Sequence, residues 1–213
     1  MNMAKEKLDK SNPGNLDYEK KKWNEGFQNI AGVDEVGRGP FAGPVVACAV
    51  IMPKDFKIHR LTDSKKLSKK EHEFFAEEVK EHALAWEIGI ATVEEIDEIN
   101  IKQASCLAMK RAVEGLKVKA DYILVDGTEV IDTPIPQESI IKGDYNSHSI
   151  SAAAIVAKVY RDQLMAELDA KYGNVYGWGK NAGYQTKEHI EACHQHGVTP
   201  HHRTSWATMD LFK

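Results

Sequence analysis

Four carboxylates stand where apolar segments of the sequence end. Asp34 and Glu35 form an adjacent pair inside AGVDEVGRGPFAGP, Asp126 ends the segment DYILVDG, and Asp144 lies in IKGDYNSH just before a long helical pattern. Carboxylates that lie close together repel one another unless cations neutralise them or some stay protonated. Oxygen-only ligation favours hard ions such as Mg²⁺ or Mn²⁺. Two such ions suit phosphoryl transfer by in-line attack, because they stabilise both the attacking and the leaving oxygen.

A simpler explanation stays open for each acid when only its spacing is considered. Asp126 precedes a glycine, and Asp-Gly is a common turn pair; Asp144 also follows a glycine. Adjacent strand residues face opposite sides of a sheet, so Asp34 and Glu35 share a site only if their strand bends or ends there. The Gly-Arg-Gly-Pro that follows the pair allows such a bend.

The elements that must position these acids follow an α/β order. Apolar patterning and turn residues predict strands at 29–36, 43–52, 84–92 and 121–127. The same criteria predict helices at 68–83, 100–116, 149–172 and 186–197, with a Gly- and aromatic-rich loop at 173–185. Ser68 with Glu71, and Thr92 with Glu95, have the spacing of helix capping boxes.

Composition sets the outer limits. The chain has 213 residues, of which 42% are hydrophobic, enough for one medium domain with a real core. Residues 1–27 are polar and charged, and we interpret them as a loosely attached leader, weakly structured or helical. Residues 28–213 then form the main domain, with a helical C-terminal extension from about residue 186.

Several classes of protein are disfavoured by the same data. No apolar run approaches the ~18 residues that a membrane-spanning helix needs, and the N-terminus lacks the apolar core of a secretory signal. The three cysteines are odd in number and widely spaced, which favours reduced thiols in a cytosolic protein. The net charge of −4 does not by itself suggest a nucleic-acid partner.

A zinc site near Cys193 is also disfavoured. Four histidines lie close to it in sequence, at His194, His196, His201 and His202. Their spacing matches no common zinc pattern, and only one sulfur is available.

Six segments of the chain together resemble the ribonuclease HII family. They are AGVDEVGRGPFAGPVV, DSKKLS, LVDGT, KGDYNSHSISAAAIVAKVYRD, GYQTKEH and PHHRTSW, in the family's order with compatible gaps, covering nearly all of residues 30–207. The resemblance implies an RNase H-like α/β fold with a mixed central β-sheet flanked by helices and a small helical C-terminal part. It also implies a cytoplasmic, metal-dependent endonuclease that uses two Mg²⁺ or Mn²⁺ ions.

The implied substrates are RNA–DNA hybrids and DNA duplexes that contain single ribonucleotides. The cut falls 5′ to the ribonucleotide and leaves a 3′-hydroxyl and a 5′-phosphate, which implies a role in removing ribonucleotides from DNA. No membrane partner is implied, monomer is the default, and a contact with a sliding clamp stays undecided.

Carried over residue by residue, the resemblance makes Asp34, Glu35, Asp126 and Asp144 the catalytic metal ligands. It assigns recognition of the 2′-hydroxyl, the group that distinguishes RNA from DNA, to the turn Gly37-Arg38-Gly39. It places Tyr184 beside that hydroxyl and the next sugar. Candidates for other substrate contacts, chiefly to phosphates, are Lys65, Lys66, Lys158, Ser151 and Arg203; for each lysine a merely solvated charge is the simpler explanation.

Ser151 and Lys158 are two helical turns apart, which predicts that both lie on the face opposite the apolar stripe.

The alternatives differ in specific residues. A ribonuclease HIII-like hybrid nuclease, without activity at single ribonucleotides, would carry another turn after the acidic pair, a Glu for the last Asp and an additional N-terminal domain. Here Gly-Arg-Gly is intact, the fourth acid is Asp144 and the leader is short. A non-catalytic binder on the same fold would have lost at least one acid. Gln185 and Ala154 depart from the usual family residues, Gly and Ser, without touching a predicted ligand.

Overall fold

The computed structural model describes residues 16–54, 56–58, 61 and 67–212. The five strands are β1 (Ile30–Val36), β2 (Val45–Ile51), β3 (Ala85–Ala91), β4 (Tyr122–Asp126) and β5 (Gln137–Ile140). The α-helices of the described residues are α1 (Asp17–Asn24), α2 (Lys69–His82), α3 (Val93–Gly115), α4 (Gly143–Asn146), α5 (His148–Lys171), α6 (Trp178–Asn181) and α7 (Lys187–His196). A 3₁₀ helix, Ala207–Phe212, follows.

The strands form one mixed sheet in the order β3-β2-β1-β4-β5. β1 pairs antiparallel with β2 and parallel with β4, so the two directions of pairing meet at the central strand. β2–β3 is antiparallel and β4–β5 is parallel. This arrangement confirms the predicted α/β class and the mixed central sheet flanked by helices.

Helices cover both faces of the sheet. On one face α3 packs over β1, β2 and β3, where Ala31 and Val33 contribute to a cluster of small and branched side chains. On the other face α5 crosses β1 and β2, with α2 alongside it. Gly32 allows α5 to approach β1, because a Cβ there would lie only 2.1 Å from the carbonyl carbon of Ser149. The helix that follows Asp144 is therefore held tightly against the strand that contains Asp34.

The expectation of a loosely attached leader is wrong for residues 16–27. Helix α1 packs on β4, β5 and the start of α5 through Leu16 and Trp23, both buried. Glu19 is fully buried, and its Oε1 accepts hydrogen bonds from Ser147 Oγ at 2.6 Å and from Ser149 N at 2.9 Å. Residues 1–15 lie outside the described part of the chain.

The predicted C-terminal helical part packs around one aromatic cluster. Phe41, Trp178 and Tyr176 are buried there with residues from α5, α7 and the 3₁₀ helix. A β-bridge joins Ala42 to His202, so the turn after β1 is tied directly to the C-terminal segment. Cys48, Cys106 and Cys193 are free thiols. Among the described residues, no helix is long and apolar enough to cross a membrane.

Candidate active site

The adjacent acids Asp34 and Glu35 lie where β1 extends beyond the end of its pairing with the parallel strand β4. β1 pairs with β4 only as far as Val33 opposite Val125, whereas its pairing with β2 continues through both acids to Val36. The strand does not end at the pair. Since adjacent side chains face opposite sides of a sheet, the two carboxylates flank the end of β4, where Asp126 stands.

Asp126 connects this strand end to the segment before α5. Its Oδ1 accepts a hydrogen bond from the Gly143 N–H at 2.5 Å and a longer one from the Asp144 N–H at 3.4 Å. Lys142, just before these residues, has a left-handed backbone with φ of 57° and ψ of 44°. The tight turn that results brings the backbone of Asp144 against Asp126, so three chain segments deliver four carboxylates to one edge of the sheet.

The electrostatics of the site show that these carboxylates lie close together. Burial first, then the charges of Asp126, Glu35 and Asp144, raise the pKa of Asp34 well above its usual value, although a hydrogen bond from the Glu35 N–H opposes the shift. Burial and the charge of Asp144 raise the pKa of Asp126. Burial also raises the pKa of Glu35, against the lowering effect of Arg38. A site with these properties favours cations.

The donor chemistry of the site fits hard divalent ions. The groups that converge are carboxylate oxygens from Asp34, Glu35, Asp126 and Asp144, the type of ligand that Mg²⁺ and Mn²⁺ prefer. Their mutual repulsion would be relieved by bound cations.

The turn Gly37-Arg38-Gly39 leaves β1 directly after the acidic pair and is held from inside the protein. The guanidinium of Arg203 donates to the carbonyls of Gly37, Arg38 and Gly43, with Nη1 2.9 Å from the Arg38 oxygen and Nε 2.9 Å from the Gly43 oxygen. Gly37 has φ of +96°, and a Cβ at this position would lie 2.2 Å from Nε of Arg161. Only glycine fits here without strain.

Arg161, on α5, fixes the remainder of the same turn. Its Nε donates to the Pro44 carbonyl at 3.0 Å, Nη1 to Ala182 at 2.9 Å and Nη2 to Ala42 at 3.3 Å. Burial lowers the pKa of Arg161 to about 10 and that of Arg203 to about 9. Two buried guanidiniums bound to backbone carbonyls therefore shape this loop. Sequence reasoning missed Arg161, although an arginine beside the apolar stripe of α5 was a usable signal.

Tyr184 lies against the turn from the C-terminal part. It is 51% exposed, and a Cβ on Gly39 would lie 3.2 Å from its Cε1 atom. The Gly183 carbonyl just before it accepts a hydrogen bond from the Phe41 N–H at 3.1 Å. The structure thus brings the predicted tyrosine to the predicted turn and leaves its ring accessible.

Arg38 joins the turn to the acids. Its Nη1 lies 3.2 Å from Glu35 Oε1 and its Nη2 lies 3.5 Å from Glu129 Oε1. Glu129 also lies 3.3 Å from Lys102 of α3. Sequence reasoning did not identify Glu129, which follows the Asp-Gly turn by two residues.

Two of the candidate substrate contacts are corrected by the structure. Arg203 is fully buried and its guanidinium is used by backbone carbonyls, so it supports the turn and does not reach a phosphate. Ser151 is also buried, and its Oγ donates to the carbonyls of Asp144 at 2.6 Å and Ser147 at 2.8 Å. The prediction that Ser151 shares a solvent-facing side of α5 with Lys158 is therefore wrong.

The lysine candidates have different outcomes. Lys158 is partly exposed and lies 2.5 Å from Asp162 Oδ2, in a cleft of about 290 Å³ between α2, α5 and α6. Lys65 and Lys66 lie outside the described residues.

Comparison with protein families identifies one family over most of the chain. The Ribonuclease HII family model matches residues 31–209. Ribonuclease HII of Desulfitobacterium hafniense (strain DSM 10664 / DCB-2) is 52% identical over 192 residues, which cover 90% of this chain and 74% of that relative. Ribonuclease HII of Halalkalibacterium halodurans is 49% identical over 191 residues, covering 90% of this chain and 72% of the relative.

Solved structures have the same fold. Ribonuclease H2 from Pyrococcus horikoshii OT3 superposes with a TM-score of 0.73 at 26% identity, covering 87% of this chain and 97% of that one. RNase HII in the PCNA:RNase HII complex from Archaeoglobus fulgidus gives a TM-score of 0.70 at 25% identity, covering 84% and 95%. Bst-RNase HIII in complex with Mn²⁺ gives 0.70 at 16% identity, covering 86% and 68%, a likeness of fold alone.

Proposed function

The chain belongs to the ribonuclease HII family of metal-dependent endonucleases, and from this premise we propose that it cuts 5′ to single ribonucleotides embedded in duplex DNA, as well as the RNA strand of RNA–DNA hybrids. In this hydrolysis a water oxygen bonds to phosphorus and the bond to the upstream 3′-oxygen breaks. The products are a 3′-hydroxyl on the upstream nucleotide and a 5′-phosphate on the ribonucleotide. The supporting observation is that four carboxylates converge beside a glycine turn against which Tyr184 lies.

The metal ligands in this proposal are Asp34, Glu35, Asp126 and Asp144. Two Mg²⁺ or Mn²⁺ ions held by them would supply electrostatic stabilisation of the oxygens that attack and leave phosphorus. The chain supplies orientation: the hydrogen bonds from Gly143 N and Asp144 N to Asp126 Oδ1 set that carboxylate before any ion binds. Burial and the neighbouring acids raise the pKa values of Asp34 and Asp126, and bound cations would favour the ionised form of both carboxylates.

Recognition of the ribose is assigned to the backbone of the Gly37–Gly39 turn. Arg203 binds the carbonyls of Gly37 and Arg38 from the protein side. In a trans peptide the N–H points opposite to the carbonyl of the same unit, so the N–H groups of Arg38 and Gly39 face away from Arg203. Donors presented in this way, with no Cβ on Gly39, suit close contact with a 2′-hydroxyl.

Tyr184 completes the proposed site. Its ring is accessible on the side of the turn, and a tyrosine offers a flat apolar face for a sugar together with a polar tip. Arg38 is partly exposed beside Glu35 and is the cation of the turn that we assign to the substrate's backbone.

The test is cleavage of a labelled DNA duplex that contains one ribonucleotide, with Mg²⁺, Mn²⁺ or chelator, followed by mapping of the cut. The matched controls are an all-DNA duplex of the same sequence and a continuous RNA–DNA hybrid. We expect one metal-dependent cut 5′ to the ribonucleotide and none in the all-DNA duplex. Cleavage of the hybrid without any cut at the single ribonucleotide would instead favour the ribonuclease HIII-like alternative.

The cellular setting forms part of the same proposal. We place the enzyme in the cytoplasm, acting on DNA that contains ribonucleotides, because Cys48, Cys106 and Cys193 are unpaired thiols. The Archaeoglobus fulgidus relative was solved with PCNA, which makes a sliding clamp the first partner to test by co-purification. A monomer is the expected state.

A further inference from the structure

A buried cluster of nitrogen and sulfur side chains lies beneath the Tyr184 loop. It consists of Trp178 from α6, His189 and Cys193 from α7, and His202 from the segment that follows. All four side chains are buried, and none of them belongs to the group of four carboxylates described above. The hydrogen bonds within it determine where each imidazole proton lies.

The hydrogen bond from Trp178 determines which ring nitrogen of His189 carries the proton. An indole N–H can only donate, and Trp178 Nε1 lies 2.8 Å from His189 Nε2, so Nε2 must accept. A neutral imidazole with one accepting nitrogen holds its proton on the other. His189 Nδ1 therefore donates, and its partner at 2.9 Å is the carbonyl oxygen of Tyr184.

A hydrogen bond from a backbone amide determines which ring nitrogen of His202 carries the proton. The Thr199 N–H donates to His202 Nδ1 at 2.9 Å, so the proton of this imidazole lies on Nε2. That nitrogen lies 3.3 Å from Cys193 Sγ, which can accept its proton, and 3.2 Å from His189 Nε2, whose lone pair already accepts from Trp178. The two histidines thus hold opposite tautomers, one set by Trp178 and the other by the Thr199 N–H.

The hydrogen bonds of the two histidines also argue against a bound metal ion in the cluster. His189 Nε2, Cys193 Sγ and His202 Nε2 all lie within 4.8 Å of one another, a grouping that could ligate a soft ion. However, the lone pair of His189 Nε2 accepts from Trp178, and His202 Nε2 holds a proton. A metal would have to break both hydrogen bonds, whereas the network is satisfied as it stands.

This network ends at the turn that we assign to ribose recognition. The Tyr184 carbonyl accepts from His189 Nδ1 and from the Thr186 N–H at 2.8 Å, which fixes the main chain below the exposed ring. The His189 ring also packs on Phe41, with centroids 4.3 Å apart. A chain of contacts therefore runs from Trp178 through His189 and Tyr184 to Gly39.

We propose that His189, held as the Nδ1–H tautomer by Trp178, is a positioning residue that holds Tyr184 in place for recognition of a single ribonucleotide. The effect of His189 on cleavage rests on the proposed function, whereas the assignment of its tautomer does not. His189 touches no substrate in this scheme and acts only through Tyr184.

The tautomer assignment is tested without substrate, by two-dimensional ¹H–¹⁵N NMR of the histidine side chains in the full chain. We expect His189 as the Nδ1–H tautomer and His202 as the Nε2–H tautomer at neutral pH. In Trp178→Phe, which removes the indole donor and part of the ring volume but keeps an aromatic side chain, we expect the His189 signal to become a mixture of tautomers. A wild-type His189 protonated on Nε2, or a stoichiometric shift of these signals on adding Zn²⁺, would overturn the proposal.

The positioning role is tested by a double-mutant cycle between His189→Phe and Tyr184→Ala. We expect His189→Phe to lower kcat at a single ribonucleotide roughly tenfold, with a smaller effect on a continuous hybrid, because one hydrogen bond to the Tyr184 backbone is lost. In the Tyr184→Ala background we expect the same change to cost less than about twofold, because coupled residues are not additive.

The controls separate positioning from folding. His196→Gln changes an exposed histidine on the same helix and is expected to leave kcat and the melting temperature unchanged. His189→Gln, whose amide can both accept from Trp178 and donate to Tyr184, is expected to recover part of the loss. An equal loss in both Tyr184 backgrounds would refute the role, whereas failure of wild type at a single ribonucleotide would refute the proposed function and leave the NMR result standing.

Discussion

Asp34 is a buried carboxylate surrounded by other carboxylates. It is buried on the central strand, and its neighbours Asp126, Glu35 and Asp144 are all acidic. A carboxylate in this position is stable as an anion only when positive charge compensates it. In this structure Arg38 is bound to Glu35, so the demand for compensation stays concentrated at Asp34 and Asp126.

Replacing Asp126 by asparagine is expected to separate catalysis from binding. The amide keeps the shape and can still accept from the Gly143 N–H, but it removes the charge that an ion requires. We expect cleavage to fall at least about a thousandfold, with duplex affinity changed less than about threefold. Single-turnover cleavage and fluorescence anisotropy on the same labelled duplex measure the two quantities, and near wild-type cleavage would contradict the assignment.

His202 is expected to make the folded state sensitive to acid. Burial, with the neighbouring His189, lowers its pKa to about 4, whereas an unfolded histidine titrates near 6.5. Between these values the unfolded chain binds the proton and the folded chain does not, so stability falls as the pH falls from about 6.5 towards 4. Urea unfolding at pH 7 and 4.5 should show wild type losing on the order of 2–3 kcal/mol more than His202→Gln.

Comparing wild type with His202→Gln separates the effect of His202 on the pH dependence of stability from the effect of the acids. The raised pKa values of Asp34 and Asp126 act in the opposite direction, because these groups stabilise the metal-free fold when protonated. His196→Gln, at an exposed position, should keep the full pH dependence of wild type. Equal slopes for wild type and His202→Gln would rule out the effect.

At the residue scale, sequence reasoning located the groups whose chemistry is unusual for their context. Acids at the ends of apolar segments are visible in a sequence, and the structure places Asp34, Glu35 and Asp126 together. The role of Arg203 could not be predicted in this way. Nothing in the sequence distinguishes an arginine that binds backbone carbonyls inside the protein from one that binds phosphate. The tautomer of His189 depends on Trp178, a contact made only in the folded chain.

At the scale of elements, helix α1 belongs to the domain and bears on the site. Glu19 accepts hydrogen bonds from Ser147 Oγ, at the N-cap of α5, and from Ser149 N in its first turn, shortly after Asp144 in the sequence. A buried carboxylate at a helix N-terminus satisfies backbone donors and interacts favourably with the helix dipole. Glu19 Oε2 has no hydrogen-bond partner among the described residues, so Oε1 makes the whole connection.

Removing the Glu19 side chain is therefore expected to loosen the start of α5. We expect Glu19→Ala to lower the free energy of unfolding by about 1–3 kcal/mol, since two buried donors lose their acceptor. Glu19→Gln retains an acceptor oxygen and should lose less. Lys20→Ala, at an exposed position on the same helix, should stay within about 0.5 kcal/mol of wild type in urea unfolding; a similarly small change for Glu19→Ala would show that α1 does not brace α5.

Element boundaries with local signals were predictable. The capping boxes at Ser68 and Thr92 are both present, and α2 and α3 begin at the next residue. Asn100, with φ of 68°, separates the helical turns that follow the Thr92 capping box from the helix predicted at 100–116. Strand β5 was missed because its four residues are mostly polar and it forms only by pairing with β4 at the sheet edge. Helix α1 was missed as a packed element because its pattern is dominated by charge.

For the whole molecule, the net charge of −4 conceals an uneven distribution. Acids concentrate at one edge of the sheet, while the two buried guanidiniums of Arg161 and Arg203 lie behind the adjacent turn. The net charge therefore says little about the partner, because it averages over these local differences. This distribution also means that the metal-free fold retains repulsion that bound cations would relieve.

Divalent ions are thus expected to stabilise the folded chain even without substrate. At a free Mn²⁺ concentration about a hundredfold above its dissociation constant, binding to the native state alone should raise the melting temperature of chelator-treated protein by on the order of 5–10 °C. Asp34→Asn should melt higher than wild type without metal, because a buried repelled charge is gone, yet gain much less from Mn²⁺. Asp132→Asn, at a highly exposed acid whose ion-pair partner is Lys110, should respond as wild type does. Differential scanning fluorimetry with and without Mn²⁺ measures all three proteins, and an equal Mn²⁺ shift in Asp34→Asn would mean that the ions bind elsewhere.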